Sequence, residues 1–292
     1  DQSLANTAMK KFNSIIPVES DGLFTPEVRL WSLEKYKLVG GYCDIFTTGM
    51  KDKWDQLVYI DLFAGAGYAK IIETGKIYRS SALIAMSIPH PFSKYILCEE
   101  DSQRYEALKA RVEKYFPNLN VSIIQGDSNK IIDKIFHEIP PFRKGNTLLP
   151  FCFVDPYSLH LSFKTVETLG GKILMDFLIL QALHMDGNRN LAKYLKEENE
   201  RIANYLGNPD WRDGYFKNCT EYTPNFVKFL ADQYQTKMTQ LGYLPEKRMF
   251  QIRSNEKNLP LYYLAFYSKH PRGIDYYKHI ENRISPQLKL EL

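Results

Sequence analysis

Residues 57–67 read Leu57-Val58-Tyr59-Ile60-Asp61-Leu62-Phe63-Ala64-Gly65-Ala66-Gly67, and this stretch decides the fold. A short apolar, β-rich run meets an acid and then two glycines, the pattern of a parallel strand buried on both faces that ends in a sharp turn. Gly65 and Gly67 let the backbone turn tightly and approach a ligand, and Asp61 at the strand end is placed to receive a charged or hydroxylic group. The competing reading is a plain strand-to-helix connection.

The same grammar repeats downstream. Tyr95-Ile96-Leu97-Cys98 runs into Glu99-Glu100-Asp101, and Val121-Ser122-Ile123-Ile124 precedes Gly126-Asp127. Residues 148–154, with an interruption expected at Pro150, lead to Asp155-Pro156-Tyr157, and residues 172–180 supply a fifth strand. Helical segments are expected over 81–87, 102–116 and 131–138. Strands and helices alternating at these lengths imply a parallel sheet covered on both faces.

Upstream, residues 28–46 carry helical spacing with a break expected at Gly40-Gly41, and residues 1–25 read as an arm. Residues 182–241 are helical in pattern and too long for a simple crossover, so an inserted lobe is expected. Residues 247–253 and 261–267 form a hairpin that closes the sheet with an antiparallel strand. The resulting division is an N-terminal arm and helical segment (1–55), an α/β core (56–181 and 245–292) and a helical insertion (182–244).

Over 292 residues, 44% apolar and 25% charged content is ordinary for a folded chain. With no run of about 18 apolar residues and no basic-then-apolar start, neither a membrane span nor a signal peptide is expected, and the expected location is the cytoplasm. Cys43, Cys98, Cys152 and Cys219 lie far apart without CxxC or histidine spacing, so no metal is expected. Net charge is +4, and its surplus falls after residue 179, with 17 basic against 13 acidic residues. A mildly basic half is compatible with phosphate contact or with solvated surface.

In open α/β sheets ligands gather outside the carboxyl ends of the strands, where all of these motifs fall. Glu99 stands where a carboxylate accepts from ribose hydroxyls. Glu100 and Asp101 compete for that role but also suit a helix N-terminus. Asp127 is placed either to accept from an adenine amino group or to cap a helix.

The stretch from Tyr59 to Gly67, with Phe63 and Ala64 inside it, resembles the cofactor motif of class I S-adenosylmethionine methyltransferases. More narrowly, the chain resembles the bacterial and phage three-Cys-motif partner protein family, TcmP. That resemblance rests on this motif, on Phe153-Val154-Asp155-Pro156-Tyr157, on the early Glu34-Lys35-Tyr36, and on residues 261–273, Leu261-Tyr262-Tyr263 through His270-Pro271-Arg272-Gly273. It implies a Rossmann-like class I methyltransferase sheet, mostly parallel with a C-terminal antiparallel hairpin plus a helical insertion. It also implies S-adenosyl-L-methionine as cofactor and a partner protein with three clustered cysteines, of radical S-adenosylmethionine type. The family has glycine after the Asp-Pro-aromatic triplet where this chain has Ser158, a residue less suited to positive φ.

Asp155-Pro156-Tyr157 also resembles, with one proline fewer, the Asp-Pro-Pro-Tyr loop of adenine-N6 and cytosine-N4 methyltransferases. There a side-chain oxygen and a proline carbonyl hold the exocyclic amine while the aromatic ring stacks on an extruded base. These three residues are the catalytic candidates, with a nitrogen of DNA or RNA as the expected acceptor. Cytosine-C5 chemistry is excluded because no Pro-Cys dipeptide follows the fourth strand. Lys269, His270 and Arg272 form a basic cluster suited to phosphates, to a partner or to solvent. Trp211, Tyr215 and Phe216 with Arg212 and Lys217 mix aromatic and basic groups as single-strand binders do, or pack the lobe. A methyltransferase-like subunit that holds a partner enzyme without transferring a methyl group is the competing expectation.

Overall fold

The computed structural model describes residues 13–218, 225–245, 249–254 and 258–284. In chain order the elements are β1 (Pro17–Val18), β2 (Glu27–Val28), α1 (Ser32–Met50), β3 (Gln56–Asp61), β4 (Tyr68–Ile71), β5 (Ile77–Arg79) and α2 (Ser81–Met86). Next come β6 (Lys94–Glu99), α3 (Ser102–Tyr115), β7 (Val121–Gln125), α4 (Ile132–Glu138), β8 (Leu148–Val154), α5 (Phe163–Gly170) and β9 (Asp176–Gln181). A π-helical turn (Leu183–Asn188) opens the region of α6 (Leu191–Tyr194), α7 (Arg201–Leu206), α8 (Trp211–Asn218) and α9 (Phe226–Gln240). β10 (Phe250–Arg253), β11 (Pro260–Tyr267) and α10 (Pro271–Ile284) complete the described chain.

Seven strands form one sheet in the order β10-β11-β9-β8-β3-β6-β7. β7, β6, β3, β8 and β9 are parallel, β11 runs against β9, and β10 runs against β11. Every residue of β8 and β9 is buried, as a parallel sheet covered on both faces requires. Because β3 leads to β6 on one side while β8 pairs on the other, the strand order reverses at β3 and opens a crevice there.

Several sequence expectations are corrected. Pro150 does not interrupt β8; it pairs with Val58 of β3, and β9 joins β8 only from Phe151 onward, so the missing N–H falls below the three-strand section. The fifth strand starts at Asp176 rather than at residue 172. α1 runs unbroken through Gly40-Gly41, whose small size serves packing. A Cβ on Gly40 would lie 2.5 Å from Cβ of Ser14, and one on Gly41 would lie 3.0 Å from Ile280 of α10.

Two elements had no sequence expectation. A second sheet, β1-β5-β4-β2, sits beside the glycine turn. Pro271-Arg272-Gly273 begins a helix rather than a turn: Pro271 is its first residue, where a missing N–H costs nothing, and α10 packs on α1 through Tyr276 and Ile280. Among the described residues no helix is long and apolar enough to cross a membrane.

In the helical region Trp211 and Tyr215 are buried in the main core. Arg212 donates to the carbonyls of Tyr194, Leu195, Lys196 and Asn199, so Trp211, Tyr215 and Arg212 organise this region from within, while Phe216 and Lys217 are exposed.

Candidate functional site

The turn after β3 is fastened at both sides. Leu62 N donates to Phe153 O of β8 at 3.2 Å, and Ala64 N donates to Cys98 O of β6 at 2.9 Å. Gly65 and Gly67 adopt φ of +66° and +85°, a region costly to residues with a Cβ. Around Gly65 a Cβ would find open space, whereas at Gly67 it would meet Leu83 at 3.0 Å. Gly65 thus faces the crevice, and Gly67 lets the turn settle on the core.

A cleft of 740 Å³ opens at the carboxyl ends of β3, β6, β7 and β8. That volume is in the range of small-molecule sites. Phe63, Ala64, Gly65, Glu99, Asp127, Asp155 and Tyr157 all line it, so residues from four strand ends converge as the sequence implied. Glu99 is nearly buried; its Oε2 accepts from Gly65 N at 2.8 Å and its Oε1 from Asp101 N at 2.9 Å. Each oxygen keeps a second acceptor position. Asp101 caps α3 by accepting from Arg104 N, and Glu100 lies exposed at the rim. Asp127 Oδ1 accepts from Asn129 N at 3.0 Å, closing its own turn while the residue lines the cleft.

Asp61 was expected at the ligand but lies beneath the turn, fully buried and off the cleft wall. Its carboxylate accepts from Ser81 Oγ at 2.7 Å, Tyr59 OH at 3.1 Å and Phe63 N at 3.1 Å, which ties β3, the turn and α2 together. Burial pushes its carboxyl up to about 7.

At the other side of the cleft Asp155 forms an ion pair with Lys35 of α1 through Oδ2. Lys35 Nζ also lies 5.7 Å from the Trp31 ring centre and 5.0 Å from that of Tyr36. Burial works to lower its basicity, yet the charge and hydrogen bond of Asp155, together with Tyr36 and Tyr262, hold the ammonium above its ordinary value. The sequence reading used Lys35 only as part of a resemblance. Its signal is a lysine among aromatics on the buried face of a helix, where an unpaired charge is not tolerated.

Pro156 is buried behind the loop, and Tyr157 is 77% exposed at the mouth. The Tyr157 ring centre is 4.6 Å from that of His160, which meets Phe63 edge-on at 5.2 Å, so an aromatic row runs from the mouth to the glycine turn. Ser158 needs no positive φ, and its Oγ lies 2.8 Å from His160 Nδ1. Cys152 is buried in β8, its thiol pushed well up by burial.

Lys269, His270 and Arg272 are not part of this site. β11 runs against β9, so Tyr263 pairs with Gln181 near the cleft and Tyr267 with Phe177 at the far end. The basic cluster follows that far end, where Lys269 Nζ donates to Gly170 O at 2.7 Å and His270 Nδ1 accepts from Arg272 N at 3.1 Å.

Two hydroxyls missed in the sequence add to the cleft. Ser80 Oγ and Ser128 Oγ are buried and have no hydrogen-bond partner among the described residues, and both residues line it. Spare Glu99 acceptor positions, an open Gly65 face and two orphaned hydroxyls suit a nucleoside-like ligand carrying its own donors.

The strand order and the cleft at its reversal point define a Rossmann-like, mostly parallel sheet, with the reversed strand β11 lying between β9 and β10. No family model and no curated protein matches the chain. Among solved structures it is similar to LPL1258 of Legionella pneumophila, at 11% identity over 89% of this chain and 94% of that one, with a TM-score of 0.49. It is also similar to M. jannaschii TYW2 in complex with AdoMet (10% identity, 89% and 88% covered, TM-score 0.41). A third similarity is to an O-methyltransferase of Bacillus cereus in complex with SAH (9%, 78% and 80%, TM-score 0.40). At such identities the chain's own strand order defines its fold.

Proposed function

We propose that this chain is an S-adenosylmethionine-dependent methyltransferase whose acceptor is a nitrogen of a nucleic acid. The observation that carries this reading is the convergence of Gly65, Glu99, Asp127 and Asp155 on one cleft at the strand-order reversal. Glu99 would take the ribose hydroxyls, Asp127 and Ser128 the adenine, and Phe63, Ala64 and Gly65 the backbone side of the adenosyl group. Asp61 and Gly67 act from beneath, holding the turn that these contacts need. When bound, S-adenosylmethionine supplies an electrophilic methyl group on a sulfonium.

The acceptor would enter over Asp155, Pro156 and Tyr157. Lys35 occupies Asp155 Oδ2, which leaves Oδ1 to accept a hydrogen of the incoming amine and orient its lone pair. Tyr157, exposed and flanked by His160, offers the aromatic face for a base drawn out of its stack. The resemblance of its sequence motifs to the three-Cys-motif partner family supports the further reading that the activity serves a three-cysteine protein of radical S-adenosylmethionine type.

Calorimetry with S-adenosylhomocysteine, followed by a labelled-methyl assay on DNA, RNA and a three-cysteine partner, tests this directly. Cofactor binding and label lost on Asp155→Ala are expected. No cofactor binding, or label indifferent to that substitution, overturns it. Cofactor binding with no transfer to any acceptor would favour the second reading, a silent subunit that holds a partner enzyme.

A further inference from the structure

His160 stands between two cavities. One face of the loop after β8 borders the main cleft, and the other borders a second cleft of 600 Å³ walled by the α6–α7 connection. The loop between them is held on two sides. Asn129, two residues beyond Asp127, donates through Nδ2 to His160 O at 2.9 Å and accepts at Oδ1 from Ser162 N and Thr165 Oγ1. From the lobe, Asp186 Oδ2 accepts from Leu159 N at 2.7 Å, and its Oδ1 accepts from Asn190 and Tyr194. The wall is thus set by the turn that borders the cofactor side and by the lobe together.

The charges in this second cleft differ in how they are used. Lys164 is spoken for by Glu167 at 2.8 Å. Arg201 and Lys193 are exposed, and among the described residues no acid pairs with either side chain. Glu198 and Glu200 also line the cleft. It is Arg201 whose field reaches the shared wall: burial first, then this cation, holds His160 below its ordinary value. An exposed guanidinium in a cleft that shares its His160 wall with the proposed acceptor site is chemistry for a phosphate whose sugar or base extends over the ring.

We propose that the cleft beyond His160 is a phosphate subsite, centred on Arg201 with Lys193 in support, for the molecule whose nitrogen lies over Asp155. This deepens the methyltransferase reading and rests on it for the identity of the neighbouring site. A strand and a mononucleotide present the same phosphate chemistry to Arg201. A strand is favoured because the cleft adjoins the acceptor mouth along the aromatic row of Tyr157 and His160.

The test uses the full chain with and without saturating S-adenosylhomocysteine, and short single-stranded DNA, single-stranded RNA, a mononucleotide and inorganic phosphate as probes. Expected is oligonucleotide binding that weakens about tenfold in Arg201→Gln, with a salt dependence shallower by about one phosphate contact, most of it restored in Arg201→Lys. Mononucleotide binding with the same Arg201 dependence would assign the subsite to a smaller phosphate ester. Equal binding of all probes by wild type and Arg201→Gln, or no binding of any probe at low ionic strength, overturns the subsite. S-adenosylhomocysteine affinity is expected to be the same in Arg201→Gln and wild type. If that ligand fails to bind wild type, the methyltransferase reading falls, while the Arg201 comparison without it still decides the subsite.

Discussion

The two sides of the main cleft are built in opposite ways. On one side, the turn after β3 and the ends of β6 and β7 present backbone groups and short acids, each within a few residues of its own strand. On the other, Asp155 of the β8 loop is completed by Lys35, 120 residues earlier, and by a loop pinned from the helical lobe. The first side is a local device repeated along the sheet; the second exists only once distant segments meet. Damage to the first should change ligand affinity, and damage to the second should change stability and acceptor chemistry together.

The sharpest way to break this contrast is Lys35→Met, which strands the Asp155 carboxylate. A loss of about 3–5 kcal/mol is expected by chemical denaturation. The double variant Lys35→Met with Asp155→Leu should recover much of that loss, since an apolar pair of similar size replaces the buried ions. Full loss retained in the double variant would show that α1 is held by something other than this pair.

On the opposite side, Glu99→Gln keeps the shape but removes the charge that faces Gly65 N. Weakening of S-adenosylhomocysteine by about 10–100-fold, or about 1.5–3 kcal/mol, is expected from losing charge-assisted hydrogen bonds. Calorimetry reads it, and the melting temperature without ligand should move little. Next in size is Gly65→Ala, where space is available but φ is not: about 1–2 kcal/mol of strain, read as lower affinity or lower stability.

The pH dependence of stability is a separate readout. Burial raises Asp61 to about 7 and Asp176 to about 6, against about 3.9 in an unfolded chain. Between those values the folded state holds protons that the unfolded state has released, so the contribution of these two carboxyls to stability should fall as pH rises from about 4 to about 7 and then level off, against a smaller opposite contribution from His160 and His184, which burial holds below their ordinary value. In urea titrations Asp61→Asn should flatten that slope, and an unchanged slope would remove Asp61 as its source.

The same contrast explains what the sequence disclosed. Strands β3, β6 and β8 were legible because burial on both faces leaves an unbroken apolar run, and the turn that follows has its own residue types. The edge strands β7 and β10 are only partly buried; β7 was legible from its β-branched residues before Gly126, and the hairpin from the apolar run of β11 beside the alternating β10. Lys35, Ser80 and Ser128 were not, because their roles depend on packing between segments far apart in the chain. Asp61 was misplaced because a strand-end acid satisfied by Ser81, Tyr59 and Phe63 has the same spelling as one facing a ligand. The basic cluster at Lys269 lies away from the cleft because β11 runs against β9 and ends at the far end of the sheet.

One buried cation gives the N-terminal arm more weight than its length suggests. Arg111 of α3 is fully buried and grips both Asp21 oxygens at 2.8 and 2.7 Å, Thr25 Oγ1 at 2.9 Å, Phe24 O at 2.9 Å and, from the glycine turn, Ala66 O at 2.6 Å. A single guanidinium therefore makes residues 21–25 and the glycine turn one mechanical unit. Trimming or fusing the chain near residue 20 would act as a lesion of the binding pocket, felt in ligand affinity before it is felt anywhere else.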